Sequence, residues 1–483
     1  MVNKQDFVRV SPYIFEIPKD MRADMRVPAR IYADDRLLDA VLQDRSIEQL
    51  INTATLPGVV KYALAMPDVH QGYGFPIGGV AATALPDGII SPGGVGYDIN
   101  CGVRVLTTSI QVDELRPHLD SLMTALFRNI GTGVGASGQL RLSVSEMHEL
   151  LEGGSEWVIK RGYGRREDLA YTEDGGRMPD ARAEAVSPRA IERGQNQVGT
   201  LGSGNHFLEL DEVVEIFDHE AAQAFGLIEG TVTVWIHCGS RGLGHQVCTD
   251  AVREMQQSVR KYGIEIPDRE LVCSPFSSPE GQRYFQAMSA AANYAWANRQ
   301  VITHHVRQTF EEVLAGKLPR PDLRLLYDVC HNIAKVERHK INGEEREVCV
   351  HRKGATRTFG PGLPQVPEDY RQIGQPVLIP GSMGVGSYIL VGTEGAMEQT
   401  FGSSCHGAGR MWSRSKALRE VQGSKLRAEL EKENILVRAG SMRGLAEEAP
   451  DAYKDVDAVV DVVHNTGIAR RVARTRPIGV IKG

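Results

Sequence analysis

Apolar positions along the chain follow two periods, and each period predicts its own elements. Thr231–His237 (TVTVWIH) and Leu323–Val329 (LRLLYDV) are dense in β-branched and aliphatic side chains and read as strands ending on or just before a histidine. Val377–Val391 (VLIPGSMGVGSYILV) reads as two short strands around a glycine-rich turn. Helical runs cover Asp113–Arg128, Gln246–Tyr262 and Tyr284–Leu314. Another runs from about Arg410 to Lys432, with Leu418, Val421 and Leu426 at helical spacing. Strands and helices intermix without a regular βαβ alternation, which predicts an α+β fold rather than a doubly wound sheet. No repeat, low-complexity tract or Pro/Ser-rich linker divides the sequence. Residues 1–483 therefore read as one large domain, with central β-sheets flanked by helices and joined by glycine-rich loops.

Composition narrows the class. At 42% hydrophobic and 24% charged residues, the chain is neither disordered nor collagen-like. No apolar run approaches the roughly 18 residues that span a bilayer, and MVNKQDFVRV lacks a signal-peptide core, so a cytoplasmic protein with no membrane partner is expected. The 61 acidic and 55 basic side chains give a net charge of −6, which weighs against a generally basic nucleic-acid binder. Seven scattered cysteines without a CxxC pair predict buried thiols rather than a disulfide framework. Glycine is the exception to this ordinary profile: 51 residues, well above the usual share of roughly 7%.

Those glycines gather where the chemistry-bearing side chains are. PDVHQGYGFPIGG (67–79), SPGGVGYDINCG (91–102), GTLGSGNHFLE (199–209), HCGSRGLGH (237–245), PGSMGVGS (380–387) and FGSSCHGAGR (401–410) each pair bare backbone with histidine, cysteine, aspartate or serine. One such segment is most simply a tight turn; six together read as loops wrapping a ligand. Asp98 and Cys101 are three residues apart, close enough for one turn to aim both at a point, and His206, His237 and His331 follow on separate segments. A thiolate, a carboxylate and three imidazoles suit a borderline transition metal, and a bridging thiolate would let two adjacent ions share the set. His118, His148, His219, His339, His351 and His464 read as ordinary core or surface imidazoles, and His304 and His305, adjacent on a helix and facing different ways, make a poor ligand pair.

In FGSSCHGAGR, His406 precedes Gly407, Ala408 and Gly409 and an expected helix opening near Arg410. Backbone N–H groups at such a start bind phosphate, and Arg410 would add a bidentate contact. His406 is then a candidate acid, base, metal ligand or nucleophile on phosphorus, with Cys405 as the rival nucleophile. The sequence contains neither GxxxxGK[ST] nor Lys-x-Asp-Gly, which excludes a P-loop NTPase and a lysine-adenylating ligase. A metal-dependent phosphohydrolase or nuclease and a non-catalytic binding protein remain compatible with these residues alone.

DVHQGYGFPIGG, GGVGYDINCGVR, GSGNHFLE, HCGSRGLG, PGSM and SSCHGAGR, in this order, resemble the RtcB-type tRNA-splicing RNA ligases from about residue 20 to the terminal RPIGVIKG. The resemblance implies a manganese- and GTP-dependent enzyme that joins a 2′,3′-cyclic phosphate or 3′-phosphate RNA end to a 5′-hydroxyl end, in tRNA splicing and RNA repair. By position, His406 matches the guanylylated histidine. Asp98, Cys101, His206, His237 and His331 match the ligands of two manganese ions. Cys101 bridges in that scheme, with His206 and His237 completing one set and Asp98 and His331 the other. The implied guanylate contacts are Asn205, His206, Phe207, Leu208, Glu209, His331, Asn332, Pro380, Gly381, Ser382, Met383, Ser387, His406, Gly407, Ala408, Gly409, Tyr453 and Lys482. Glu209 would read guanine through its N1–H and N2 amino donors. Implied partners are RNA, as tRNA halves or broken ends, and GTP; some members also use the small protein archease. Arg241, Arg410 and Arg414 flank the expected site, and Arg470, Arg471, Arg474, Arg476 and Lys482 follow Asp461 with no intervening acid. Together with a small cluster at Arg161, Arg165 and Arg166 they are the candidate RNA contacts.

Overall fold

The computed structural model describes residues 2–133 and 135–483. Two mostly antiparallel sheets organise the chain. One runs in the order Val8–Ser11, Ile14–Ile17, Ala29–Tyr32, Val59–His70, Ile77–Ala84, Glu344–Lys353, Asn332–Ile341. The other runs Arg324–Cys330, Gly102–Gln111, Thr231–Cys238, Phe207–Ile216, Ala469–Lys482, Ser387–Gly392, Pro376–Ile379, with Leu436–Ala439 laid parallel to Ala469–Lys482. Helices are interspersed rather than alternating with parallel strands, so the fold is α+β as the sequence predicts.

The TVTVWIH pattern follows from burial on both faces of its strand. Val232, Val234, Ile236 and Cys238 pack into one apolar cluster, while Trp235 turns to the opposite one with Val103 and Val105. Every residue of Thr231–Cys238 is buried, so neither face selects for polar side chains. The 36-residue helix Pro279–Leu314 lies against the second sheet's side of the molecule. Ser278 caps it by accepting from the Gly281 N–H, and Pro279 sits at the first position, where no N–H is needed. Its middle, Ala290–Ala297, is fully enclosed. All seven cysteines are buried and unpaired. No helix among the described residues is long and apolar enough to cross a membrane.

The chain passes from the second sheet to the first at a single residue. Arg324–Cys330 ends in one sheet, Asn332–Ile341 begins in the other, and His331 lies between them. The junction of the two sheets is therefore where side chains from both converge.

The predicted strands are present, with Val377–Val391 resolved into Pro376–Ile379 and Ser387–Gly392. Two helix predictions need correction. The run Asp113–Arg128 is broken into Val112–Leu115, a short 3₁₀ turn Arg116–His118 and Leu119–Asn129, because Pro117 has no N–H to continue the ladder. The run from Arg410 is not helical at its start: Arg414–Glu420 begins after a Ser413 cap and ends before a second helix, Gly423–Lys432. Gly423 packs directly on the Met442 carbonyl, a close approach that a side chain would block. The two remaining helices begin earlier than their apolar periods indicate, at Arg241 and Pro279.

Candidate active site and metal centre

Strand register gathers the five candidate ligands at one sheet end. Phe207 lies opposite His237 and Lys482, Cys238 lies opposite Gly102, and Gly102 also lies opposite Cys330. His206, Cys101 and His331 each adjoin one of these paired residues, so four antiparallel strands deliver them together with His237. Asp98 joins through a turn in which the Cys101 N–H donates to the Asp98 carbonyl at 3.0 Å, with Asn100 at φ 52°.

The distances define two triads of ligand atoms within 4.8 Å of one another, Asp98–Cys101–His206 and Cys101–His237–His331. Cys101 Sγ lies 3.4 Å from His206 Nε2 and 3.2 Å from His237 Nε2. His206 Nε2 lies 2.8 Å from Asp98 Oδ2, and His237 Nε2 lies 3.3 Å from His331 Nε2. Cys101 is the shared member, as the resemblance implies, but His206 and His331 exchange triads relative to that expectation. The His206 Nδ1 meets the Leu201 carbonyl at 2.9 Å, a contact that orients the ring with Nε2 toward the cluster.

The surroundings favour a positively charged guest. Burial, reinforced by Asp98, pushes the Cys101 thiol up to about 12. Burial, with the neighbouring imidazoles adding, holds His237 and His331 well below the usual histidine range and hence neutral. Burial would raise Asp98 as well, yet the hydrogen bond and charge of His206 bring it down to about 2. The neutral imidazoles of His237 and His331, the Asp98 carboxylate, and His206 and Cys101, which Asp98 and burial hold protonated until a cation displaces their protons, form a donor set suited to borderline divalent metals. Gly239 shapes the wall here, because a Cβ would collide with the Asp98 carboxylate, while the Ser240 N–H donates to Asp98 Oδ1 at 3.0 Å.

Beside this cluster opens a cavity of about 420 Å³ at the sheet junction. Asp98, Cys101, Asn205, Phe207, Glu209, His237, His331, Asn332, Pro380, Gly381, Ser382, Met383, His406, Gly407, Ala408, Gly409, Tyr453 and Lys482 line it. Leu208 points the other way into the core, as alternation along its strand requires, so only its backbone is available to a ligand. Ser387 is buried behind the cavity, where its Oγ accepts the Gly381 N–H at 3.1 Å and ties down the 380–386 loop.

His406 sits between this cavity and a carboxylate that the sequence reading left unassigned. Its Nδ1 lies 2.6 Å from Asp68 Oδ2, and its backbone N–H donates to the same oxygen at 3.0 Å. Asp68 is fully buried. With Nδ1 engaged, Nε2 is the ring nitrogen left for a ligand, and the His331 ring centroid is 4.8 Å away. Asp68 belongs to PDVHQGYG, a segment flagged for its glycines; the signal was the aspartate two residues before a histidine. Cys405 is enclosed, and burial raises its thiol well above the ordinary range, which leaves His406 as the nucleophile candidate.

Several cations are more occupied than the sequence implies. Arg410 does not open a helix: its guanidinium donates to Glu448 Oε2 at 3.1 Å, the Tyr453 hydroxyl at 3.2 Å and the Glu447 carbonyl at 2.8 Å. Glu448, also hydrogen-bonded by Tyr453, had no sequence signal. The arginines after Asp461 are paired after all, Arg470 with Asp218, Arg471 with Asp461, Arg474 with Asp457 and Arg476 with Glu433, acids brought in from elsewhere by the fold. Arg161 stacks on Trp157 and Arg165 pairs with Asp322, so both act at the surface as structural groups. Arg414 is the most open of the three flanking arginines, its side chain 54% exposed and 3.7 Å from Glu448.

Glu209 is buried, and burial with the charge of Asp211 raises its carboxyl well above the usual range while the charge of Lys482 opposes the shift. Tyr73, Tyr97 and Lys353 form a further wall of the cavity that sequence reasoning did not identify.

Known proteins share this whole arrangement of sequence. A family model described as tRNA-splicing ligase RtcB matches residues 49–483. The tRNA-splicing ligase RtcB of Thermococcus kodakarensis is 56% identical over 476 residues, covering 98% of both chains. That of Archaeoglobus fulgidus is 54% identical over 475 residues, again 98% of both. The RNA-splicing ligase RtcB of Mycobacterium tuberculosis is 52% identical over 438 residues, 90% of this chain and 100% of the relative. With identity this high over nearly every residue, the chain belongs to the tRNA-splicing ligase RtcB family.

Proposed function

We propose that the protein joins RNA ends bearing a 2′,3′-cyclic phosphate or 3′-phosphate to 5′-hydroxyl ends, consuming GTP, in tRNA splicing and RNA repair. The observation that carries this reading is the His406–Asp68 pair at 2.6 Å on the wall of a 420 Å³ cavity beside the Cys101 cluster. The names of the relatives, tRNA-splicing and RNA-splicing ligases, support RNA end joining as the reaction class.

His406 Nε2 attacks the α-phosphorus of GTP; the N–P bond forms as pyrophosphate departs with the bridging oxygen. Asp68 accepts the Nδ1–H hydrogen bond, fixes the tautomer that leaves the Nε2 lone pair free, and stabilises the positive charge the ring acquires. On a 2′,3′-cyclic end, water first bonds to phosphorus as the P–O2′ bond breaks and the 2′-oxygen takes a proton; an oxygen of the resulting RNA 3′-phosphate then takes the guanylyl group and returns the electron pair to Nε2. The 5′-hydroxyl of the second RNA attacks the activated 3′-phosphate, GMP leaves, and the hydroxyl proton passes to solvent.

Glu209 accepts from the N1–H and N2 amino group of guanine, donors that adenine lacks in that arrangement. The 380–386 loop, tied by Ser387, and the Gly407–Gly409 segment present backbone to the phosphates and ribose. Two manganese ions held by Asp98, Cys101, His206, His237 and His331 would supply Lewis-acid charge where the phosphorus centres accumulate negative charge. Archease would be the helper where turnover needs one.

The test is incubation with manganese and GTP labelled at the α-phosphate. The expected result is an acid-labile label on the protein that His406→Ala abolishes, together with joining of a 2′,3′-cyclic phosphate RNA. A wild-type protein that hydrolyses RNA ends but takes no label would be a metal-dependent phosphohydrolase instead.

A further inference from the structure

Lys454 follows Tyr453 and is 6% exposed, an unusual place for an ammonium group. Its Nζ donates to the carbonyl of Pro67 at 3.1 Å and to that of Val69, the two residues that flank Asp68. Its backbone N–H donates to the Gly409 carbonyl at 2.9 Å. Gly409, at φ 77°, packs so closely on the Asp68 carbonyl that a Cβ there would collide with it. The remaining side of the Asp68 peptide is taken by His70, whose Nδ1 lies 3.0 Å from the Asp68 carbonyl. One lysine thus ties the end of strand Val59–His70 to the loop that carries His406.

Resting on the guanylylation reading above, we propose that Lys454 is a positioning residue for the nucleophile: its ammonium clamps the carbonyls on both sides of Asp68 and so aims the carboxylate at His406 Nδ1.

Burying an ammonium on neutral carbonyls is costly, and an apolar side chain would fill the space more cheaply. Burial indeed pulls the Lys454 ammonium down to about 8, with the charges of Asp68 and Asp44 opposing. What the ammonium adds is two directed hydrogen bonds that set the backbone at Asp68. The two carbonyls it holds fix the backbone on either side of Asp68, and with it the carboxylate that accepts the His406 Nδ1–H and leaves Nε2 as the free nitrogen.

The experiment is a double-mutant cycle on the manganese-loaded full-length protein, reading the rate of GMP attachment to His406. Lys454→Met is expected to slow attachment about tenfold or more, since misplacing a catalytic group by about 1 Å costs up to roughly 10²-fold. Asp68→Asn is expected to slow it further, and the double variant should match Asp68→Asn within about twofold, because Lys454 acts only through Asp68. Lys454→Arg should restore most of the rate. Joining of RNA already carrying a 3′-guanylyl group bypasses His406 and should be unaffected by Lys454→Met. An independent readout is the downfield Nδ1–H resonance of His406, which Lys454→Met should shift or abolish and Lys454→Arg should keep. Lys454→Gln, run through the same cycle, covers a Lys454→Met protein that does not fold. Wild-type rate in Lys454→Met, losses that multiply in the double variant, or an unchanged resonance would each overturn the clamp alone. A wild-type protein that takes no label would overturn the guanylylation reading and the clamp with it.

Discussion

Asp328→Asn is the sharpest test of what holds the metal-ligand loop in place. Asp328, Arg104 and Arg299 have no exposed side-chain surface. Asp328 Oδ2 accepts from Arg104 Nε at 2.7 Å and Arg299 Nε at 2.8 Å, and Oδ1 accepts from Arg299 Nη2 at 2.8 Å. Arg299 then reaches the carbonyls of Asn100 and Cys238, each at 2.8 Å, which adjoin the ligands Cys101 and His237. The asparagine removes one carboxylate from between two guanidinium groups, so the buried charge rises from one net positive to two. Breaking a buried pair in this way costs about 3–5 kcal/mol, because the stranded charges stay desolvated. The assay is urea unfolding followed by the emission of Trp235 and Trp296, both fully buried. Glu311→Gln is the control: it removes a surface partner of Arg320, whose side chain is 81% exposed, and should cost less than about 1 kcal/mol. The variant should also bind manganese more weakly, since Arg299 loses its anchor. Stability within about 1 kcal/mol of wild type would refute the claim that this charge triad braces the loop.

Three further outcomes can be measured directly. Cys101→Ala, which removes the member common to both triads, should abolish binding of both manganese equivalents by metal analysis, whereas His206→Ala should remove one. On the proposed guanine contact, Glu209→Gln would replace an acceptor of two donors with one acceptor and one donor, so GTP should bind about 10- to 150-fold more weakly in equilibrium titration, the equivalent of one charged hydrogen bond at about 1.5–3 kcal/mol. Burial raises Glu337, but Arg352 at 2.6 and 2.9 Å, with His339 adding, holds its carboxyl down to about 2 from 4.5. That stabilisation is present above about pH 4.5 and is lost as pH falls toward 2, amounting to about 3 kcal/mol, and urea midpoints at pH 5 and pH 3 should differ less in Glu337→Gln than in wild type.

The sequence carried the strands better than the helix ends, and the ligands better than their supports. Thr231–Cys238 was legible because a strand covered on both faces is a continuous apolar run. The helix expected from Arg410 was not, since Leu418, Val421 and Leu426 keep a helical spacing across a break set by the contact of Gly423 with Met442. Asp98, Cys101, His206 and His237 stood out because they lie in glycine-rich segments, and His331 because it closely follows the end of an apolar strand pattern. Which histidines share a triad depends on strand register, which the residue order does not encode. Asp68 and Lys454 escaped notice for another reason. Their work is done across 338 and 387 residues of sequence separation, through contacts with His406 and Pro67 that have no local pattern.

The net charge of −6 weighed against nucleic acid, and the structure explains why that average misleads. Few basic side chains at the cavity are free to meet a phosphate. Arg410 is spent on Glu448, Tyr453 and the Glu447 carbonyl, and Lys353 on the carbonyls of Tyr73 and Gly93. A site built in this way places its charge with fixed geometry: donors already committed to the protein do not rearrange when a phosphate arrives, so they add field at little reorganisation cost. On the proposed reading, the phosphate would be met by metal ions held at the Cys101 cluster and by the bare backbone from Gly407 to Gly409. Glycine was the better clue to such a site than charge, because the close approaches of Gly239 to the Asp98 carboxylate and of Gly409 to the Asp68 backbone leave no room for a side chain.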